Sequence, residues 1–187
     1  PAPSKSRSAS CTSVYKKKAV PAKTLRAIVQ SHRQWLEERY NQNSHRADLC
    51  MADLHRAALN GADLERANLE GANLQHANLY QSSLAHARLS RADLTSAGLE
   101  DSNLSGADMR QTRLSRANLF RVIGDEAALF NSVLVGAQLH ESSFERTHFE
   151  GADLTAADFT NAEVVDSYFY GANLDQATLT EADFTGT

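Results

Sequence analysis

A step of five residues governs this chain. From Leu49 to Phe184 every fifth position is Leu or Phe at 25 of 28 places, the exceptions being Met109, Gly124 and Val164. Two residues before each of these runs a column of small side chains: 20 Ala, five Ser, two Thr and Val122. An α-helix cannot bury such a pattern. At about 3.6 residues per turn a step of five rotates the side chain by roughly 140°, which smears the apolar residues around the cylinder. A flat strand fails too, because a period of two sends Leu49 and Leu54 to opposite faces.

A chain that bends through a right angle after each unit meets the requirement. Every central Leu or Phe then points inward, and the small residue two places before it sits where the wall bends in. Four sides close a coil of about 20 residues, so Leu49 stacks with Leu69, Leu89, Met109, Leu129, Phe149 and Phe169, and the other sides form similar ladders. The predicted architecture is an all-β solenoid, a quadrilateral parallel β-helix of about seven coils and roughly 30 to 35 Å in length. Packing each central side chain inside contributes about 1.5 to 3 kcal/mol, enough to fold a chain so rich in polar surface. Seven glycines, from Gly61 to Gly186, share the slot two residues after a central position, which marks that slot as the corner.

The run Ala62-Asp63-Leu64-Glu65-Arg66-Ala67-Asn68-Leu69-Glu70-Gly71-Ala72-Asn73-Leu74 resembles the A-(D/N)-L-x-x signature of the pentapeptide-repeat family. The match extends over about three quarters of the chain, and it implies that family's right-handed coil. The resemblance also brings a functional precedent: a subgroup of quinolone-resistance proteins imitates DNA in shape and charge, occupies DNA gyrase, and dimerises through C-terminal ends.

Outside the repeat the composition changes abruptly. We expect a basic extended tail over residues 1–23, an amphipathic helix over 24–40, a linker over 41–46 and the β-helix over 47–187. Leu25, Ile28, Val29, Trp35 and Leu36 recur at three- and four-residue spacing, with Thr24 as the expected N-cap. Such a stripe needs a cover, and the first coil presents an open apolar end with unpaired strand edges, so the helix is expected to cap it.

Charge is sorted along the chain. Residues 1–46 hold 10 Lys or Arg against Glu37 and Glu38, residues 47–121 hold eight Arg against nine acids, and residues 122–187 hold Arg146 against 12 acids. The tail triplet Lys16, Lys17 and Lys18 is expected to meet an acidic partner, a nucleic acid or a membrane surface if it is ordered. Asp153, Asp158, Asp166 and Asp175 represent the acidic surface of the last third.

Gly124 interrupts the repeat without shifting its phase. Either the wall continues there with a void that Phe144 fills one coil later, or residues near 124 bulge out as a loop. Nearby outward slots carry Phe120, Ile123, Phe130, Val133 and Val135 where other units carry polar groups, and this apolar cluster is the expected partner contact.

The search for chemistry returns little. The chain shows no nucleophile with a paired base, no phosphate loop and no metal-ligand spacing, so no cofactor and no enzymatic activity are expected. The Asp and Asn residues before each central position are read as bonding to nearby backbone rather than as ligands. Cys11 and Cys50 are read as free, reduced thiols in a cytoplasmic protein, and no apolar run approaches the ~18 residues of a membrane span. The functional expectation is a scaffold or subunit that holds protein partners within a larger assembly, with a homodimer or a further chain at the C-terminal end and no direct nucleic-acid binding. The alternative is a DNA mimic that binds gyrase or another nucleic-acid enzyme through its acidic C-terminal part.

Overall fold

In the computed structural model, residues 11–38 and 45–187 are described. From residue 47 onward the backbone repeats one pattern. Twenty-four parallel bridges, from Asp48–Asn68 to Glu163–Asp183, each join residues twenty positions apart, so one coil is twenty residues and lies in register on the next. We number the sides by their central residues: side 1 from Leu49, side 2 from Leu54, side 3 from Leu59 and side 4 from Leu64, each recurring every twenty residues. Within a wall the central N–H donates to the following coil, as in Leu74 to Asp93 O at 2.7 Å, and the residue before it donates to the preceding coil, as in Asn73 to Ala52 O at 2.9 Å. These ladders satisfy the backbone groups that a buried wall would otherwise orphan.

The interior is filled as the period requires. Every central residue from Leu49 to Val164 is buried, together with nearly all of the small column two before it. At five of the seven places where that column carries a hydroxyl, the side chain bonds a central carbonyl, whereas the buried Ser82 and Ser102 hydroxyls have no partner among the described residues. Thr112 donates to Met109 O and Ser132 to Leu129 O, each at 2.7 Å, which removes the penalty of burying the oxygen. In the last coil Leu179 is 46% exposed and Phe169, Leu174 and Phe184 are half-buried.

The corners depart from the simplest expectation. All seven corner glycines have φ between +64° and +76°, and the other 21 corner residues, including Arg56, Met51 and Ala156, also fall in the left-handed region, with φ between +51° and +61°. Glycine is therefore the easy corner residue and not a required one. Most corners are closed by the N–H of the next residue bonding back to the central carbonyl, as in Ala57 to Leu54 O at 2.9 Å, while the corner N–H of every coil but the last bonds across to the next coil, as in Arg56 to Gln75 O at 2.9 Å. Where both bonds form, they offset a left-handed cost of about 1 to 2 kcal/mol.

At Gly124 the wall continues. Val122 is fully buried, Gly124 N–H donates to Ser143 O at 2.7 Å, and the turn and bridge pattern is unbroken, so no loop bulges out. A Cβ built on Gly124 would overlap the ring of Phe144, which has taken the space a central leucine would occupy. The adjustment reaches two neighbouring hydroxyls: Thr147 Oγ1 donates to Gly124 O at 2.8 Å, and Ser167 Oγ bonds both Thr147 N–H and Phe144 O.

The helix α1 spans Ala22–Glu37. It begins after Pro21 with no side-chain cap, so Thr24 lies within its first turn and does not serve as N-cap. Leu25 is buried, and Ile28 and Val29 pack on the core at the open end of the first coil, whereas Trp35 and Leu36 are half-buried one to two turns further on. Residues 39–44, which include the end of the expected helix and most of the expected linker, lie outside the described residues.

Cys11 and Cys50 are joined in a disulfide, with Cα atoms 5.7 Å apart, which corrects the expectation of two free thiols. Sequence spacing gave no sign of it because the tail folds back over 39 residues. Lys17 N–H donates to Met51 O at 2.6 Å, Asp53 N–H to Lys18 O at 2.9 Å and Val20 N–H to Asp53 O at 3.2 Å. The Thr12 hydroxyl bonds the Asp48 carboxylate, and Tyr15 and Val20 pack against the core. The argument from reduced thiols to a cytoplasmic location falls with this correction.

Candidate functional site

One buried side chain ties the cap together, and the sequence reading missed it. His32, on the same face of α1 as Leu25, is fully buried; Ala47 N–H donates to its Nδ1 at 3.1 Å, which leaves the proton on Nε2, 2.9 Å from Glu65 O. Trp35 stacks on the imidazole, with ring centroids 5.5 Å apart. Burial holds the His32 pKa below its ordinary value, outweighing the opposing pull of the Glu65 carbonyl. The signal in the sequence was the seven-residue step from Leu25 to His32, which puts both on one helical face.

On the β-helix each side presents two outward side chains per coil, flanking the central residue, and a third at the corner. The Asp and Asn residues before the central position do bond locally: Asp153 Oδ1 accepts from Thr155 N–H at 3.1 Å and from its hydroxyl at 2.6 Å, and Asp158 accepts in the same way from Thr160. Hydrogen bonds from Thr160 hold the Asp158 carboxyl below the usual carboxylate range. At Asp93 burial pushes upward, but bonds from Thr95 and Gln75 and the charge of Arg113 outweigh it. Among the described residues no group of three or more His, Cys, Asp or Glu side chains is placed to hold a metal ion.

The five apolar residues flanking Gly124 do not form one patch. Phe120 lies on side 3 and Ile123 on side 4, around one corner from each other; Phe130 lies on side 1, with Val133 and Val135 on side 2, around the diagonally opposite corner. Only Ile123, 47% exposed, is open to solvent to that degree. Phe120 stacks on His140 at 4.6 Å under the guanidinium of Arg121, which stands 4.3 Å above the ring. Phe130 begins a ladder up side 1, stacking on His148 at 4.8 Å, which stacks on Tyr168 at 4.7 Å. Tyr170 beside that ladder is 90% exposed.

Charge is sorted by wall. Of the 12 acids in residues 122–187, eight lie on side 4 or its two edges: Asp125, Glu126, Glu141, Glu145, Glu163, Asp166, Glu181 and Asp183. The one base there, Arg146, pairs with Glu126 at 3.3 Å and Glu145 at 3.0 Å. Of the four acids singled out in the sequence, Asp166 belongs to this strip, Asp153 and Asp175 lie on side 2, and Asp158 lies on side 3. The arginines of the middle coils sit mainly on the other walls, Arg88 and Arg110 on side 1, Arg113 on side 2, and Arg91 and Arg116 at the corners of side 2. Arg88 pairs with Glu70, Arg110 with Asp108, and Arg121 with Asp101. Lys16, Lys17 and Lys18 are exposed, and the stretch that carries them is held by the chain's own first coil.

No helix among the described residues is long and apolar enough to cross a membrane. The sequence matches the family described as Pentapeptide repeats in eight copies, over residues 47–84, 72–111, 97–123, 132–169 and 157–187. Among solved structures it is similar to HetL of the cyanobacterium Nostoc, a pentapeptide repeat protein involved in heterocyst differentiation regulation, with 26% identity over 71% of this chain and 74% of that one and a TM-score of 0.26. It is also similar to a pentapeptide repeat protein of the Arabidopsis thaliana thylakoid lumen, with 27% identity over 62% of this chain and 67% of that one and a TM-score of 0.29. A third is QnrB1, a plasmid-mediated fluoroquinolone resistance protein, with 20% identity over 71% and 67% of the two chains and a TM-score of 0.32. No curated protein matches the sequence.

Proposed function

The chain belongs to the pentapeptide-repeat family, and from that premise we propose that it is a non-catalytic scaffold whose walls hold different protein partners. The observation that carries this reading is the sorting of outward chemistry by wall on a rod whose backbone is fixed coil by coil. Carboxylates gather on side 4 of the later coils, arginines gather on sides 1 and 2 of the middle coils, and an aromatic ladder of Phe130, His148 and Tyr168 climbs side 1. A rigid surface of this kind binds without paying for its own ordering, so modest contacts suffice. The disulfide supports residence in an oxidising compartment.

The test is affinity purification of the tagged full chain with mass spectrometry, alongside a variant carrying Glu145→Gln, Glu163→Gln and Asp166→Asn. A partner recovered by the parent and lost by this variant supports side 4 as a docking wall. Unchanged recovery of every partner sinks that assignment.

A second reading, a DNA mimic acting on gyrase or another nucleic-acid enzyme, is favoured by the same acidic strip, since mimicry needs carboxylates along one track. Salt-sensitive inhibition of purified gyrase supercoiling that disappears in the side 4 variant would favour it over the scaffold.

A further inference from the structure

Every coil after the first offers its preceding edge to the coil before it. In side 3 of the second coil, Asn78 N–H donates to Ala57 O at 2.9 Å, Asn78 O accepts from Leu59 at 2.8 Å, and Tyr80 O accepts from Gly61 at 2.8 Å. The first coil has no such neighbour, and the chain covers its edge unevenly. On side 2 the stretch Lys18 to Val20 acts as a strand of a coil zero: Ala19 bridges Asp53 in parallel, and Val20 N–H bonds Asp53 O where the N–H of a central leucine would. On side 4 His32 takes the Glu65 carbonyl. On side 3, among the described residues, Ala58 N–H, Ala58 O and Asn60 O have no partner.

This open edge borders a groove of about 1200 Å³, which runs between α1 and side 3. Val29 of α1 and Ala57 and Leu59 of the first coil line it with apolar surface, and Arg26 and Arg56 line it without an ion-pair partner among the described residues. Arg33, also lining it, pairs with Glu37. Its two carboxylates, Asp53 and Asp63, already accept bonds from His55 N–H and Glu65 N–H. Residues 1–46 together carry eight more positive than negative charges.

Building on the scaffold reading, we propose that this groove docks an extended acidic peptide segment of a partner, which adds a strand to side 3 of the first coil as Lys18 to Val20 does on side 2. Unpaired backbone groups set the extended conformation, an apolar side chain enters over Leu59, and acidic side chains on the outer face meet Arg26 and Arg56. The basic surroundings select against a lysine-rich strand of the same shape.

The probe is a fluorescein-labelled octapeptide alternating Glu and Val, titrated into the full-length, oxidised protein by anisotropy, with a Lys and Val octapeptide as control. Saturable binding of the acidic peptide is expected, with the basic one at least tenfold weaker. Hydrogen exchange should slow over residues 57–61 on binding. Arg56→Glu, at an exposed corner, should weaken binding at least tenfold without lowering the melting temperature, and Ala58→Pro, which removes the N–H, should do the same if it folds. Equal binding of both peptides, or an unchanged affinity in Arg56→Glu, overturns the proposal. So does protection of residues 57–61 without peptide that grows with protein concentration, which would assign the groove to a second copy. Loss of peptide binding with partner recovery intact would remove the groove alone and leave the scaffold standing.

Discussion

The ring of Phe144 occupies the space of the side chain that Gly124, one coil earlier on side 4, does not have. The break in the repeat and the first aromatic central residue are one feature, a size exchange between stacked positions. Gly124→Leu should overpack this site and cost about 1 to 3 kcal/mol. Phe144→Leu should leave a cavity worth about 1 to 2 kcal/mol. The double variant, which restores leucine to both places, should recover most of both losses. Thermal melts of the three variants measure the coupling, and strictly additive losses would mean that the two residues do not share the space.

Leu94, on side 2 of the third coil, has no exposed surface. Leu94→Ala should lower stability by about 2 to 5 kcal/mol. Leu94→Asp places an unpaired charge inside the ladder and should prevent folding. Circular dichroism of the Asp variant with a native melting temperature would refute the inward column.

His32 should make the cap sensitive to acid. The folded protein keeps this imidazole neutral because Ala47 N–H needs its Nδ1, while the unfolded chain takes up a proton near the ordinary pKa of 6.5. A lowered folded pKa means that the stabilisation is fully present above that value and is lost as pH falls below it. Urea midpoints of the parent should drop between about pH 7.5 and pH 5.5, by more than in His32→Gln. Parallel pH profiles would show that His32 does not carry the dependence.

Reduction of the Cys11–Cys50 disulfide should free the tail from the first coil. Closing a loop of this length contributes about 3 to 4 kcal/mol in the chain-entropy account, so Cys50→Ser should melt well below the parent. Hydrogen exchange supplies the local readout. The Asp53 amide, which bonds Lys18 O, should lose protection in the variant while the Asn118 amide in the fourth coil keeps it. Unchanged exchange at Asp53 would show that the backbone bonds hold the tail unaided.

What was legible in the sequence follows from what repeats. The inward column was readable because each unit states it again, and a single exception such as Gly124 cannot shift the phase of its neighbours. His32 and the pairing of Cys11 with Cys50 were not, because each depends on how a segment outside the repeat folds over the first coil. The cluster drawn around Gly124 failed for a geometric reason: Phe120 and Val133 are close in number yet more than half a coil apart, so they face different ways. Spatial neighbours on this rod are residues 18 or 20 apart, such as Phe130 with His148 and His148 with Tyr168. Read by wall instead of along the chain, the same letters spell out the acid strip of side 4.

The left-handed corners give the rod a kind of combination lock. Since each corner takes ordinary residues such as Arg56 as well as Gly61, a stretch of any five residues in phase can be removed without breaking the coil. Removing residues 87–91, for example, would leave every later leucine inward but advance everything after it by a quarter turn. Glu145, Glu163 and Asp183 would then look out from the wall that now bears Phe120. Only changes of a whole coil leave the dial where it was, so such a protein can grow or shrink by twenty residues and keep its faces aligned, whereas a change of five gives the same fold a different set of faces.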